Sequence, residues 1–312
     1  MSDYYFGVDV GGTAIKFGVF DLNGTLLDKW EIATDRSDEA AHMLPSVANE
    51  IIRYAGNTEK VRAVGIGIPG PVQHSGFVMR CVTLGLANVN PARMLASLLH
   101  GVPVFAANDA NMAAMGEYWK GAGKGAQSLV LITLGTGVGG GIILDDAMVF
   151  GAGGLGGEIG HVVVDPTETC ACNCGQYGCL DQIASATGIV RSAERMLDEN
   201  TADSVLRGVN PLTAKAVIDA AKAGDQLAEK ALDRCMYFLG KSMAMLTNML
   251  DPEVYIIGGG VSKAGDYLLN MVRKHYETLP TLFDQKARIV LAELGNAAGI
   301  YGAAKLAMDS VR

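Results

Sequence analysis

The chain has 312 residues, 49% of them apolar, and a net charge of −8 from 25 basic and 33 acidic side chains. That is enough apolar material for one large or two medium domains, and every long apolar run is broken by glycine, proline or charge before it reaches membrane-spanning length. No basic tract is present, which argues against a broad cationic face for nucleic acid, so any phosphate site must be local.

Motif chemistry begins within ten residues of Met1. We therefore expect no targeting segment, no additional N-terminal domain and a cytoplasmic protein. Tyr4 to Val10 reads as an apolar strand running into Asp9-Val10-Gly11-Gly12-Thr13, and Ile15 to Phe20 resumes the strand pattern. Asp21-Leu22-Asn23-Gly24 is a turn, and Thr25 to Ile32 a third strand. Ser37 or Asp38 can cap a helix whose Met43, Leu44, Val47, Ala48, Ile51 and Ile52 share one face. Val61 to Ile68 is a buried strand closed by Pro69-Gly70-Pro71. Val102 to Ala107 is another, stopping at Asn108-Asp109, with a helix from Ala110 to about Trp119.

The pattern then restarts. Leu129 to Leu134 is a strand, Gly135 to Gly141 a glycine-rich turn, Ile142 to Leu144 a second strand and Asp145-Asp146 a turn. This repeat of residues 4–32 suggests two α/β domains of related topology facing each other. Asp225 to Leu250 has helical spacing, Val254 to Ile257 is a strand ending at Gly258-Gly259-Gly260, and residues 297–308 form a helix of small residues.

Three glycine turns thus follow three strands. Glycine lets the backbone approach a ligand closely, so that N–H groups point at phosphate oxygens. Thr13 and Thr136 add hydroxyl donors, Lys16 adds a compact positive charge, and Asp9 can hold a hydrated Mg2+ at the strand end. Tight hairpins alone explain any one turn less well once all three carry such neighbours. Residues 135–140 also fit G-x-G-x-x-G, but a dinucleotide turn must open a helix, and here a strand follows. No Walker-type loop is present. We expect the phosphates to be held between two hairpins, one from each domain.

Asp109 ends a buried strand and begins a helix, where a carboxylate can take the proton from a hydroxyl attacking a γ-phosphate. The competing role is a helix cap. Glu158 and His161 follow a glycine-rich loop and can bind polyol hydroxyls or hold that loop. Cys170, Cys172, Cys174 and Cys179 come next, four of the six cysteines in one segment. Thiolates this close, with a histidine upstream, can wrap one tetrahedral zinc ion. Disulfides would need an oxidising compartment, for which no signal peptide is seen. Which three cysteines bind stays open, with Cys170 a credible ligand. Cys81 and Cys235 read as buried thiols.

Several of these stretches together resemble the ROK family of sugar kinases and repressors. They are Asp9-Val10-Gly11-Gly12-Thr13 with Lys16, Leu134 to Gly141, Glu158-Ile159-Gly160-His161, and Cys172-Asn173-Cys174-Gly175-Gln176-Tyr177-Gly178-Cys179. The segments 119–123 and 183–191 are most similar to the bacterial ATP-dependent glucokinases of that family. The resemblance implies an α/β, actin-like ATPase (hexokinase-type) fold with two α/β domains flanking a cleft. We expect these at 1–117 and 118–297, with a helix at about 298–312 returning to the first. It implies structural Zn2+ on His161, Cys172, Cys174 and Cys179, leaving Cys170 out. It places Asp109 as catalytic base and sugar contacts on Gly70, Asn108, Asp109, Glu158, His161 and Asp181. It assigns ATP and Mg2+ to Asp9, Gly11, Gly12, Thr13, Lys16, Thr133, Gly135, Thr136, Gly137, Gly139 and Gly140, with the nucleoside near Gly259. Repressors of the family carry a DNA-binding segment before the first glycine turn, and only a few residues precede it here.

Two departures fall where the sugar is expected. The family pattern Cys-Leu-Glu is Cys179-Leu180-Asp181, one methylene shorter, and Asn-Leu-Gly-Trp is Thr83-Leu84-Gly85-Leu86. The expected reaction is transfer from ATP to the 6-hydroxyl of a hexose, with glucose favoured. N-acetylmannosamine, N-acetylglucosamine or fructose is the alternative acceptor, and sugar sensing without turnover the non-enzymatic one. A homo-oligomer, dimer or tetramer, is expected.

Overall fold

The computed structural model describes residues 3–37, 41–282 and 286–311. The chain divides into two units: Met1–Gln127 with Gly141–Gly157 and Glu293–Arg312, and Ser128–Gly140 with Glu158–Ala292.

The first unit is built on five strands, β1 (Tyr4–Val10), β2 (Ala14–Phe20), β3 (Leu26–Ala33), β4 (Val61–Ile68) and β7 (Val104–Asn108), in the order β3-β2-β1-β4-β7. The first three form an antiparallel meander, and β1, β4 and β7 run parallel. β5 (Val78–Cys81) and β6 (Leu86–Val89) make a separate hairpin. One face of the large sheet buries Phe6, Val8, Ile15, Phe17, Ile66 and Ile68 against α1 (Met43–Ala55) and α2 (Pro91–Leu98). The apolar stripe of α1 forms as its 3.6-residue spacing requires, with Met43, Leu44, Val47, Ala48 and Ile51 buried. The expected cap differs. The residue before α1 is His42, in helical conformation with no side-chain cap bond. Ser37 instead bonds back to Asp35 Oδ1, and Asp38 lies outside the described residues.

The other face of that sheet takes α9 (Ala298–Ser310) and α3 (Asp109–Lys120). Here small residues have a physical reason. A Cβ on Gly7 would stand 1.9 Å from the Ile300 carbonyl oxygen, and one on Gly65 1.8 Å from that of Ala303. Backbone lies directly on backbone, so α9 can be only as bulky as its alanines and glycines allow. Glu117 of α3 is fully buried, yet its carboxylate accepts N–H bonds from Ala122, Glu293 and Leu294 at 2.8–3.1 Å. That satisfies a charge that would otherwise be very costly to bury.

The second sheet repeats the first in order: β10 (Ala147–Met148), β9 (Val138–Leu144), β8 (Leu129–Leu134), β11 (Val254–Gly258), β12 (Arg288–Leu291). Strands β8, β11 and β12 are parallel, and β9 crosses the division between the units at Gly140 and Gly141. The internal duplication read from the glycine turns is therefore a duplication of sheet topology. One expectation needs correction. The turn ends at Gly137, and Val138 to Gly141 is already strand. Gly141 serves packing instead: a Cβ there would come 2.5 Å from Ala114 Cβ and 2.8 Å from the Ala110 carbonyl oxygen of α3.

The second unit also holds α4 (Leu180–Ala184), α5 (Ala186–Glu199), α6 (Ala214–Lys222), α7 (Gln226–Leu250) and α8 (Asp266–Thr278). Asp225 caps α7 by accepting the Leu227 and Ala228 N–H bonds. No helix among the described residues is long and apolar enough to cross a membrane.

Candidate active site

In the first unit, the β1–β2 register sets Asp9 directly opposite Lys16, with Nζ 3.3 Å from Oδ2. Gly11 N–H closes the turn on the Ala14 carbonyl at 2.9 Å. Thr34 then straps it, donating from Oγ1 to the Gly11 carbonyl and from its N–H to Thr13. Burial raises the Asp9 pKa, and Lys16 works against that rise. The start of α9 presses on the same carboxylate: a Cβ at Gly299 would lie 2.6 Å from Asp9 Cγ. A helix N-terminus favours an anion there. Asp9 is a hard oxygen donor at a strand end with 16% of its side chain exposed. That fits a hydrated magnesium ion, which needs only one or two carboxylates.

The parallel register of β4 and β7 brings Ile68 beside Asn108. Just beyond β4, Gly70 has φ +84°, which turns its carbonyl to accept from Asn108 Nδ2 at 3.1 Å. Asn108 Oδ1 accepts the Asn111 N–H at 3.0 Å, so Asn108 is the cap of α3. Asp109 is the first residue of the helix, half-buried, with Oδ1 taking the Ala110 N–H at 2.9 Å. Capping therefore does not account for it. The structure brings Gly70, Asn108 and Asp109 together. Asn111, which the sequence reading passed over, is buried and holds the Gly156 carbonyl through Nδ2 at 3.1 Å. Its position three residues after the capping asparagine was the available signal.

In the second unit the turn Gly135-Thr136-Gly137 closes through Gly135 N–H on the Gly137 carbonyl at 2.9 Å. Groups from α4 and α5 hold it. Ala186 N–H reaches the Gly135 carbonyl at 2.8 Å, and Thr187 Oγ1 reaches that of Thr136 at 3.0 Å. Asp181 Oδ1 accepts the Val138 N–H at 2.7 Å. Thr133 pairs with Gly258 in the β8–β11 register, and a Cβ on Gly259 would stand 2.5 Å from the Leu134 carbonyl oxygen. The third glycine cluster thus lies against the second turn. Beside both is a cavity of about 480 Å3, lined by Gly135, Thr136, Ala186, Lys215, Ile218, Lys222, Gly260 and Val261 among others. Its size falls within the range of small-molecule sites. Gly139 and Gly140 belong to β9 and not to the turn.

Glu158 precedes, and His161 ends, one turn of 3-10 helix. His161 Nδ1 is 3.5 Å from Cys172 Sγ, while Nε2 is 3.9 Å from Glu158 Oε2. Burial raises the Glu158 pKa, and His161 opposes the rise. His161, Cys172, Cys174 and Cys179 bring their donor atoms within 4.8 Å of one another. Cys174 and Cys179 sulfurs are 3.6 Å apart. A tetrahedral zinc with Zn–S of about 2.3 Å and Zn–N of about 2.0 Å would set these separations near 3.5–3.8 Å, so the donors fit the ion. Cys170 is not in the group. The loop entering the cysteines has a second anchor. Arg195 of α5 pairs with Glu168 at 2.8 Å, and Arg234 of α7 with Asp165 at 2.8 Å. Sequence spacing carried no sign of this network. Cys81 and Cys235 are buried, as expected.

A family model described as the ROK family matches residues 5–310. The chain is 42% identical to a glucokinase of Halalkalibacterium halodurans, over 97% of this chain and 94% of that protein. It is 34% identical to a glucokinase of Thermotoga maritima, over 98% and 97%. Among solved structures, a ROK family glucokinase from Streptomyces griseus in complex with glucose and AMPPNP is similar at TM-score 0.78 and 34% identity. That match covers 98% of this chain and 99% of the other.

Proposed function

The chain belongs to the ROK family, and on that footing we propose that it transfers the γ-phosphoryl group of ATP to the 6-hydroxyl of a hexose, with glucose the preferred acceptor. Its fold is the actin-like ATPase fold. The observation that carries the reaction is Asp109: a half-buried carboxylate at a strand end, beside Gly70 and Asn108, in a helix capped by another residue.

Asp109 accepts the proton of the 6-hydroxyl as that oxygen attacks phosphorus. Asn108, Gly70, Glu158 and His161 hold the other sugar hydroxyls. The Gly11 and Gly135 turns serve the donor. Because Gly11 and Gly135 use their own N–H groups to close those turns, we assign the phosphates to the N–H groups of Gly12, Thr13, Thr136 and Gly137. Lys16 adds positive charge, and the cavity beside Gly259 takes the nucleoside. Asp9 would hold a hydrated Mg2+, which when bound neutralises charge on the phosphates. His161, Cys172, Cys174 and Cys179 would hold Zn2+ as a structural ion that fixes the loop carrying Glu158 and His161. The reading is tested by ADP release over a panel of glucose, mannose, fructose, N-acetylglucosamine and N-acetylmannosamine. Glucose should give the highest kcat/KM. A higher value for another sugar would change the acceptor, and no sugar-stimulated release would remove the kinase reading.

A further inference from the structure

Asp181 lies in the first turn of α4, and both of its oxygens are engaged within the protein. Oδ1 accepts the Val138 N–H at 2.7 Å, and Oδ2 accepts from Gln182 Nε2 at 3.0 Å. Gln182 is itself fixed by Arg191, whose Nη1 donates to its Oε1 at 2.8 Å and to its carbonyl at 3.1 Å. The facing residue is shaped to match. A Cβ at Gly137 would stand 2.5 Å from Asp181 Oδ1, so the acid fits only because position 137 is glycine. An N–H bonded to a carboxylate is shorter and stronger than one bonded to a neutral acceptor. Among the described residues, α4 and α5 make three bonds to this turn and to Val138 just after it; in this one the acceptor is a carboxylate, and the other two end on the carbonyls of Gly135 and Thr136.

We propose that Asp181 is a positioning residue for the phosphoryl donor. It fixes the peptide between Gly137 and Val138 and thereby aims the N–H groups of Thr136 and Gly137. The inference rests on assigning this turn to the ATP phosphates. It gives the residue a different effect from a sugar contact: loss of the carboxylate loosens the donor's cradle and leaves the acceptor's hydroxyl contacts in place. Gln182 and Arg191 extend the same brace into α5.

The test compares the full-length parent with Asp181→Ala, Asp181→Asn and Gln182→Ala. KM for ATP, KM for the best sugar and kcat are measured, along with AMPPNP affinity by calorimetry. Asp181→Ala should weaken AMPPNP binding and raise KM for ATP by about tenfold or more, the size expected for stranding a hydrogen-bonded N–H. Its sugar KM should stay within about twofold, as expected when contacts elsewhere are untouched. Asp181→Asn keeps an acceptor for Val138 and should recover most of the ATP effect. Gln182→Ala should move ATP KM in the same direction by less, and it carries the test with Asp181→Asn should the alanine variant prove unfolded by circular dichroism. A raised sugar KM with unchanged AMPPNP affinity would overturn the proposal. A parent that fails to bind AMPPNP would remove the phosphate assignment itself. A parent that binds AMPPNP and phosphorylates a sugar, beside an Asp181→Ala that binds AMPPNP as tightly, would remove Asp181's role alone.

Discussion

Asn108 Oδ1 accepts the Asn111 N–H at 3.0 Å, so the cap of α3 is the residue before Asp109. Replacing Asp109 therefore leaves the cap itself in place. Asp109→Asn should fold normally and bind AMPPNP as the parent does, while kcat falls by about 10²–10⁴-fold, the usual contribution of a general base. Turnover near the parental rate on the best sugar would remove Asp109 as the base.

The donor set of His161, Cys172, Cys174 and Cys179 ties the loop after Glu158 to the cysteine segment. Stripping the metal with a chelator should lower Tm by more than about 5 °C, since a shift of about 2–4 °C per kcal/mol is usual for domains of roughly 150–250 residues. Activity should fall with it. The ion pairs of Arg195 and Arg234 with Glu168 and Asp165 should keep the rest of that unit folded, leaving most far-ultraviolet dichroism intact. Verified zinc-free protein with full activity and unchanged Tm would contradict a structural zinc.

Glu168 predicts an acid-side loss of stability. Burial alone would raise its pKa, but the Arg195 bonds and the Cys170 and Thr169 N–H groups outweigh burial and bring it to about 2. A carboxylate depressed in the folded state stabilises fully above its unfolded pKa of about 4.5 and loses that contribution as pH falls toward 2. Glu168→Gln should therefore melt well below the parent at pH 7, and the gap should close as pH drops through that window. A gap that stays constant with pH would show that the charge of Glu168 is not what holds the loop.

Much of this was legible in the chain, and the exceptions have physical causes. Strands β1, β4 and β8 match the sequence reading because each is a mostly apolar run stopped by glycine or proline. The start of β9 was missed because Gly139, Gly140 and Gly141 have no side chains to show strand alternation. Only their packing shows why they are glycines. The cluster of His161, Cys172, Cys174 and Cys179 was readable because the cysteines crowd into one short segment after the histidine. The bond from Val138 to Asp181 joins residues 43 apart, between a backbone N–H and an acid read as facing the sugar. No local pattern encodes such a pair. The ion pairs behind the cysteine loop were hidden for the same reason, since they depend on which elements the fold brings side by side, whereas the Asn108 cap is a local pattern, three residues from Asn111, that was open to reading.

The most direct test of hexose 6-phosphorylation is the identity of the product. Purified enzyme is incubated with ATP, Mg2+ and glucose, and the sugar is analysed by phosphorus-detected NMR. The expected result is one phosphomonoester coupled to the protons on carbon 6, formed in step with ADP and about 10²–10⁴-fold more slowly in Asp109→Asn. Phosphate attached at another carbon, or ADP accompanied only by inorganic phosphate, would contradict it.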